Sequence, residues 1–146
     1  MAKTFHGGVH PHDSKSFSKK CEILALTAPS EVVLPVRQHI GAPASIVVEK
    51  GDVVKKGQVV AEAGGFVSAP VHATISGTVK AIEPRNTPLG VKVQSVIIES
   101  DGLDVWADGL DSPRDISSLS PDEMKKAVGD AGIVGLGGAA FPTHVK

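Results

Sequence analysis

Glycines at 132, 135, 137 and 138, alanines at 139 and 140 and a lysine at 146 crowd into the stretch Gly132-Ile133-Val134-Gly135-Leu136-Gly137-Gly138-Ala139-Ala140-Phe141-Pro142-Thr143-His144-Val145-Lys146. Residues of these types suit the binding of an anion. Glycine tolerates φ > 0 and has no Cβ, so such a loop can turn backbone N–H groups toward a phosphate and let it approach the main chain. Gly135 to Ala140 formally satisfies the dinucleotide fingerprint G-x-G-x-x-G/A, but that fingerprint needs a strand before it and a helix running through its third small residue. Only Ile133-Val134 could serve as the strand, Pro142 would fall early in the helix, and the acidic residue expected about 20 positions later lies past Lys146. The loop therefore reads as a phosphate cradle of another kind, and the expectation is a cofactor-binding protein seen in part.

A helix must deliver the chain to this loop, and its start is written in Ser120-Pro121-Asp122-Glu123. Ser120 suits an N-cap, Pro121 the first helical position, and Glu123 the third, completing a capping box in an acidic first turn. Met124, Ala127, Val128 and Ala131 recur at helical spacing as a narrow apolar stripe, and Gly132 stops the helix as the residue after its cap. Upstream the pattern is different. Short Val/Ile runs at 32–36, 45–49, 58–62, 78–82 and 91–99 alternate with turn residues at 41–43, 50–52, 56–57, 76–77 and 88–90, as in a small all-β sandwich or barrel. Pro35 puts the first run on a sheet edge. Residues 1–30, rich in Gly, His, Ser and Lys, read as an arm with one edge strand at Ile23-Leu24-Ala25-Leu26. The expected organisation is an arm over 1–30, a β domain over 31–100, a linker over 101–119, and a helix and loop over 120–146.

The remaining chemistry-bearing residues are better explained without catalysis. His6, His10 and His12 share the arm but lack a carboxylate or cysteine partner at known metal spacing, so a solvated arm is expected. His39 and His72 flank turns, where hydrogen bonds that hold the turn explain them. Cys21 follows Lys19 and Lys20, which would lower its pKa slightly, but no base accompanies it. No residue is a catalytic candidate. A single cysteine also excludes an intrachain disulfide or a four-cysteine cluster within these 146 residues. Net charge −1, 21% charged residues, four Phe, one Trp and no Tyr argue against a nucleic-acid surface, which would show basic clusters and stacking aromatics. The first residues show no secretory pattern, and no apolar run reaches the ~18 residues of a membrane span.

Two segments carry a resemblance to known folds. Val48-x-x-Gly51-Asp52-x-Val54-x-Lys56-Gly57-Gln58-x-x-Ala61, followed by Ile75-Ser76-Gly77-Thr78-Val79-x-x-Ile82, resembles the biotinyl/lipoyl carrier domain. This implies a mainly β barrel-sandwich hybrid, with the N-terminal arm before it and one helix leading into the Gly-rich loop after it. The lysine that carries the prosthetic group in that family would fall near Phe66, and no lysine lies between Lys56 and Lys80. The fold carries over; the swinging-arm chemistry has no attachment point. The glycine segment in turn resembles G-x-x-G-x-G-G-A-G-F-P-T-x-x-K of the flavin-binding subunit of respiratory complex I and its relatives, in which the glycines wrap FMN and the lysine lies near its phosphate. Gly135, Gly137, Gly138, Ala139, Phe141, Pro142, Thr143 and Lys146 match, and Ala140 stands where that motif has a glycine. The resemblance makes Gly135, Gly137, Gly138, Ala139 and Lys146 the candidate cofactor-binding residues, with the Lys146 ammonium adding a charge-assisted contact.

Together with Thr4-Phe5-His6-Gly7-Gly8-Val9-His10-Pro11, Gln38-His39-Ile40-Gly41-Ala42-Pro43-Ala44 and Glu62 to Ala73, these motifs resemble the N-terminal third of the RnfC family, whose members are subunits of Rnf ion-translocating ferredoxin:NAD oxidoreductases. The resemblance implies a peripheral subunit on the cytoplasmic face of the cell membrane. It would bind NADH and FMN, carry two 4Fe-4S clusters, contact the other Rnf subunits, and meet ferredoxin only indirectly. The cluster cysteines belong to later parts of such proteins, so this chain by itself is expected to be inactive, without cluster or flavin, and to serve structure, docking and part of the FMN-phosphate loop. The other reading is a carrier-like module, neither lipoylated nor biotinylated, used for protein–protein interaction.

Overall fold

A computed structural model describes residues 7, 11–88, 90–110 and 115–146. Seven strands form in the order β1 (Glu31–Pro35), β2 (Ser45–Ile46), β3 (Val53–Val54), β4 (Val59–Glu62), β5 (Val71–His72), β6 (Gly77–Asn86) and β7 (Lys92–Ser100), and one helix, α1 (Pro121–Asp130), follows. They build two antiparallel sheets, ordered β1-β7-β6-β3 and β2-β4-β5. The long ribbon of β6 and β7 runs in register from Gly77↔Ser100 to Asn86↔Lys92, with an irregularity between Val79 and Ala81. Every apolar run read from the sequence contains a strand, and β1 with Pro35 does lie on a sheet edge.

The core is almost wholly aliphatic. Leu34, Val48, Val54, Val60, Val71, Ile75, Val79, Val96 and Ile98 meet between the sheets. Along the start of β6, buried Gly77 and Val79 alternate with exposed Thr78 and Lys80, the period-2 signature of a strand with one wet face. Sheets this small are pressed close at their corners. A Cβ at Gly77 would run into the Glu99 carbonyl, and one at Gly64 into the Pro43 carbonyl.

Two expectations are corrected. The run Ile23–Leu26 forms no strand, and Ile23, Leu24 and Leu26 are fully or nearly fully exposed. A strand needs an edge to pair with, and β7 takes Glu31–Pro35 instead, its pairing extended by the Ser100 N–H donating to the Ser30 carbonyl at 2.9 Å. The stretch read as a linker is folded over its first ten residues. Trp106 pairs with Lys56 in a parallel bridge, with the Lys56 N–H donating to Val105 and the Ala107 N–H to Lys56, both at 2.8 Å. The Lys56 ammonium lies 4.6 Å from the Trp106 ring centre and 2.6 Å from Asp104. Buried Ser76 donates to the Asp101 carboxylate at 2.8 Å and accepts the Val105 N–H at 2.9 Å. The Leu103 N–H and the Ser76 hydroxyl together hold the Asp101 carboxyl below the usual range. Pro113, like His6, His10, Leu89 and the N-terminal motif apart from Gly7 and Pro11, lies outside the described residues.

Replacing Ile98 by alanine should cost about 2–5 kcal/mol, since it leaves a cavity in a core that cannot collapse around it. Val47→Ala, at a half-exposed position, should stay within about 0.5 kcal/mol of wild type. Chemical denaturation of both variants checks the contrast.

Candidate cofactor-phosphate loop

The helix that leads to the loop is capped as its sequence indicates. The Ser120 N–H donates to Glu123 Oε2 at 2.8 Å, and the Glu123 N–H donates back to Ser120 Oγ at 3.4 Å. The helix stops at Asp130, and Gly132 follows with φ +68°. The apolar stripe is weaker than its spacing implies. Ala127 and Val128 are half-buried, Met124 and Ala131 are exposed, and α1 buries no residue fully.

What seats the helix is contact at its end and in its last turn. At Gly132 an added Cβ would lie 2.6 Å from the Pro70 carbonyl oxygen and 3.3 Å from the His72 ring, so the backbone turns directly on the end of β5. At Gly129 an added Cβ would lie 3.2 Å from His144 Cγ. A glycine inside a helix costs about 1 kcal/mol relative to alanine, and here it admits the imidazole of the segment that returns from the loop. His144 Nδ1 is buried against it with no hydrogen-bond partner. Between α1 and the barrel runs an open groove of about 600 Å³, lined by Val59, Glu62, Pro70, Lys125, Lys126 and His144 among others.

The loop itself is a closed excursion. At its base the Thr143 N–H donates to Ile133 at 2.9 Å and the Gly135 N–H to Phe141 at 3.0 Å, with Val134 and Pro142 bridged antiparallel. Pro142 is fully buried. Leu136, Gly137, Gly138 and Ala139 make the exposed turn beyond this base. Among the described residues, no carbonyl sits at ordinary hydrogen-bond geometry for the amides of Leu136 to Ala140. Neither Gly137 nor Gly138 has a positive φ, and a Cβ built on either meets nothing within 4 Å. The chain's own packing therefore does not require glycine at these two positions. Ala140 has φ +51°, a left-handed conformation that costs a residue with a Cβ about 1–2 kcal/mol. The glycine that the flavin motif has there is explained by backbone conformation. Lys146 comes back over the base, its ammonium 3.0 Å from where a Gly135 Cβ would stand. Of the five candidate residues, the structure thus pairs Gly135 with Lys146 and sets Gly137, Gly138 and Ala139 on the turn.

The barrel holds the far side of the loop through its histidine turns. The Ile40 N–H donates to the Ala140 carbonyl at 3.4 Å. His39 is buried beside it, donating from Nδ1 to Ile40 at 3.0 Å and accepting the Ala69 N–H on Nε2 at 3.1 Å. Both partners are backbone, in keeping with a turn-holding role. Sequence reasoning missed Ser68, which is fully buried, accepts the Gly64 N–H and donates to the Ala42 carbonyl, each at 2.9 Å. Serines near glycines are common, and only the packing of the two turns singles it out. Ser68 pins the hairpin tip 63–68, where Phe66 is 81% exposed at the position of the carrier lysine. Among the described residues no group of three or more His, Cys, Asp or Glu side chains is arranged to hold a metal, and Cys21 is an exposed thiol donating to the Phe17 carbonyl.

The fold and the closed glycine loop define a barrel-sandwich hybrid without a carrier lysine, joined to a capped helix and a phosphate-type turn. A family model of the RnfC barrel sandwich hybrid domain matches residues 3–103, and the chain belongs to that family. It is 49% identical over its whole length to the RnfC subunit of the proton-translocating ferredoxin:NAD(+) oxidoreductase complex of Clostridium ljungdahlii. It is 48% identical, over 98% of its length, to the corresponding subunit of the Na(+)-translocating ferredoxin:NAD(+) oxidoreductase complex of Acetobacterium woodii. Against the corresponding subunit of the ion-translocating oxidoreductase complex of Haemophilus influenzae it is 38% identical over 97% of its length. The chain spans 32%, 32% and 22% of those three proteins.

Half-burial at the end of β5 holds the His72 imidazole below its ordinary value of 6.5, with the Asp130 backbone carbonyl partly opposing the shift. The neutral ring is thus favoured in the fold. Its contribution to stability is complete above about pH 6.5 and is lost as pH falls through the lower folded value. A His72→Gln variant should therefore lose less thermal stability than wild type between pH 7.5 and 5, as read by melting curves across that range.

Proposed function

We propose that this chain forms the barrel and phosphate-loop part of the RnfC subunit of an ion-translocating ferredoxin:NAD oxidoreductase, a peripheral protein at the cytoplasmic face of the membrane. Among the described residues no helix is long and apolar enough to cross a membrane, which accords with a peripheral role. The observation that carries the reading is the pair Gly137 and Gly138, glycines that neither backbone strain nor crowding within the chain requires. A ligand phosphate approaching the turn would require them, because any Cβ there would stand between it and the amides of residues 136–140.

The residues fit FMN through its phosphate. The amides of the exposed turn would receive the phosphate oxygens, and the Lys146 ammonium, which makes no ion pair among the described residues, would add charge at the base. When bound, FMN links hydride exchange with NADH to one-electron transfer with iron–sulfur clusters. This chain's part is to hold the phosphate end and to dock the subunit on its neighbours. A docking role is supported by the hairpin tip, which Ser68 and His39 tie down on both sides and which presents Phe66 to solvent. The carrier-like module without a covalent cofactor describes the same tip and differs in needing no flavin.

Flavin fluorescence titrations on the natural polypeptide, at the length its reading frame encodes, test the proposal. Gly137→Val and Lys146→Gln should each weaken FMN binding about tenfold or more, equivalent to ~1.4 kcal/mol. Unchanged affinity in both would refute a phosphate role for the loop and favour the interaction module.

A further inference from the structure

We propose that His72 is a positioning residue for the phosphate loop, fixing the end of α1 on the barrel so that the loop base is in place before a ligand arrives. The inference rests on the FMN-loop reading and names the barrel residue through which that loop is aimed. It starts from how little else holds the helix. A helix of ten residues is marginal in isolation, and α1 offers the barrel no fully buried side chain. Its tightest approach to the barrel lies where Gly132 turns over Pro70 and His72. There the Asp130 carbonyl, one of the carbonyls left unpaired at a helix end, faces the half-buried imidazole closely enough to favour its protonated form.

The path from this contact to the loop is short. Ile133, the residue after Gly132, accepts the Thr143 N–H, and Gly135 two residues on closes the base against Phe141. A shift of the helix end thus moves the base with no flexible residue between them to absorb it. The other tie to the barrel, from the Ile40 N–H to Ala140, is a single 3.4 Å bond beyond the turn. It cannot orient the loop by itself. His72 sits at the end of β5 with its neighbour Val71 in the core, so the imidazole is a rigid post that passes the position of the sheet to the loop.

The test compares His72→Leu, which keeps volume but has no donor, with His72→Gln, which keeps an N–H. Both are made in the natural polypeptide alongside Gly137→Val, and FMN affinity, far-ultraviolet dichroism and melting temperature are measured for each. His72→Leu should weaken FMN binding about tenfold or more with the strand spectrum intact, and His72→Gln should stay within about threefold of wild type. Rescue by glutamine distinguishes positioning from a general loss of stability, which would track melting temperature in both variants. Wild-type affinity in His72→Leu, or equal loss in both variants, would overturn the proposal. If His72→Leu does not fold, Gly132→Ala displaces the same helix end without touching the imidazole, and wild-type affinity there overturns the proposal equally. Loss in Gly137→Val with none in His72→Leu means that only the positioning role fails. No loss in Gly137→Val means that the phosphate-loop reading itself fails.

Discussion

The pairing of β6 with β7 runs from Gly77 opposite Ser100 to Asn86 opposite Lys92, and the rest of the molecule is arranged on that ribbon. Its inward residues Val79, Val96 and Ile98 are wholly buried. β1 adds to one edge and β3 to the other, and the smaller sheet of β2, β4 and β5 closes over the apolar face. With so few aromatic residues, the core is filled by Val and Ile, whose branched side chains suit a pleated surface and leave only a thin layer between sheets. A thin core brings turn backbones into contact, and so a Cβ at Gly77 or Gly64 would collide with a carbonyl across the gap.

That closeness also leaves the turns with polar groups to satisfy, and the chain answers with side chains rather than with longer strands. His39 reaches the Ala69 backbone, Ser68 bridges Gly64 and Ala42, and Ser76 joins Asp101 to Val105. Each unpaired buried group would cost about 1–3 kcal/mol, so these bonds decide that the turns are single, defined structures. The hairpin tip at 63–68 and the turn at 38–42 are rigid for this reason, and the second of them supports the glycine loop through Ile40. The exposed ion pairs Lys55–Asp108 and Lys80–Glu31 add little by comparison, since water screens them.

The helix and its glycine stop were legible residue by residue, because capping is a local matter. Ser120, Pro121 and Glu123 lie within one turn and answer only to one another, and Gly132 takes a conformation that glycine alone adopts cheaply. The strands were legible from β-branched runs, and the barrel from motif spacing. Ile23–Leu26 misled because an apolar run describes a strand without naming the edge it pairs with. The segment 101–110 misled in the other direction. Its polar, turn-rich composition is that of a linker, and nothing local announces that Trp106 stacks with Lys56 or that Asp101 finds Ser76.

The amino-acid sequence by itself determined where the elements lie, the absence of a carrier lysine at the hairpin tip, and the glycines that make a phosphate turn possible. Propensity, capping and covalent identity act over a few residues. Only the tertiary structure decided that the loop closes on itself at Gly135 and Phe141, that Lys146 returns over its base, and that His72 and Ile40 hold it against the barrel. Ala69 meets His39 across 30 residues and Val105 meets Ser76 across 29. Pairings at that distance are chosen when the two sheets close, by which buried donors find acceptors, and local propensity carries no information about that choice.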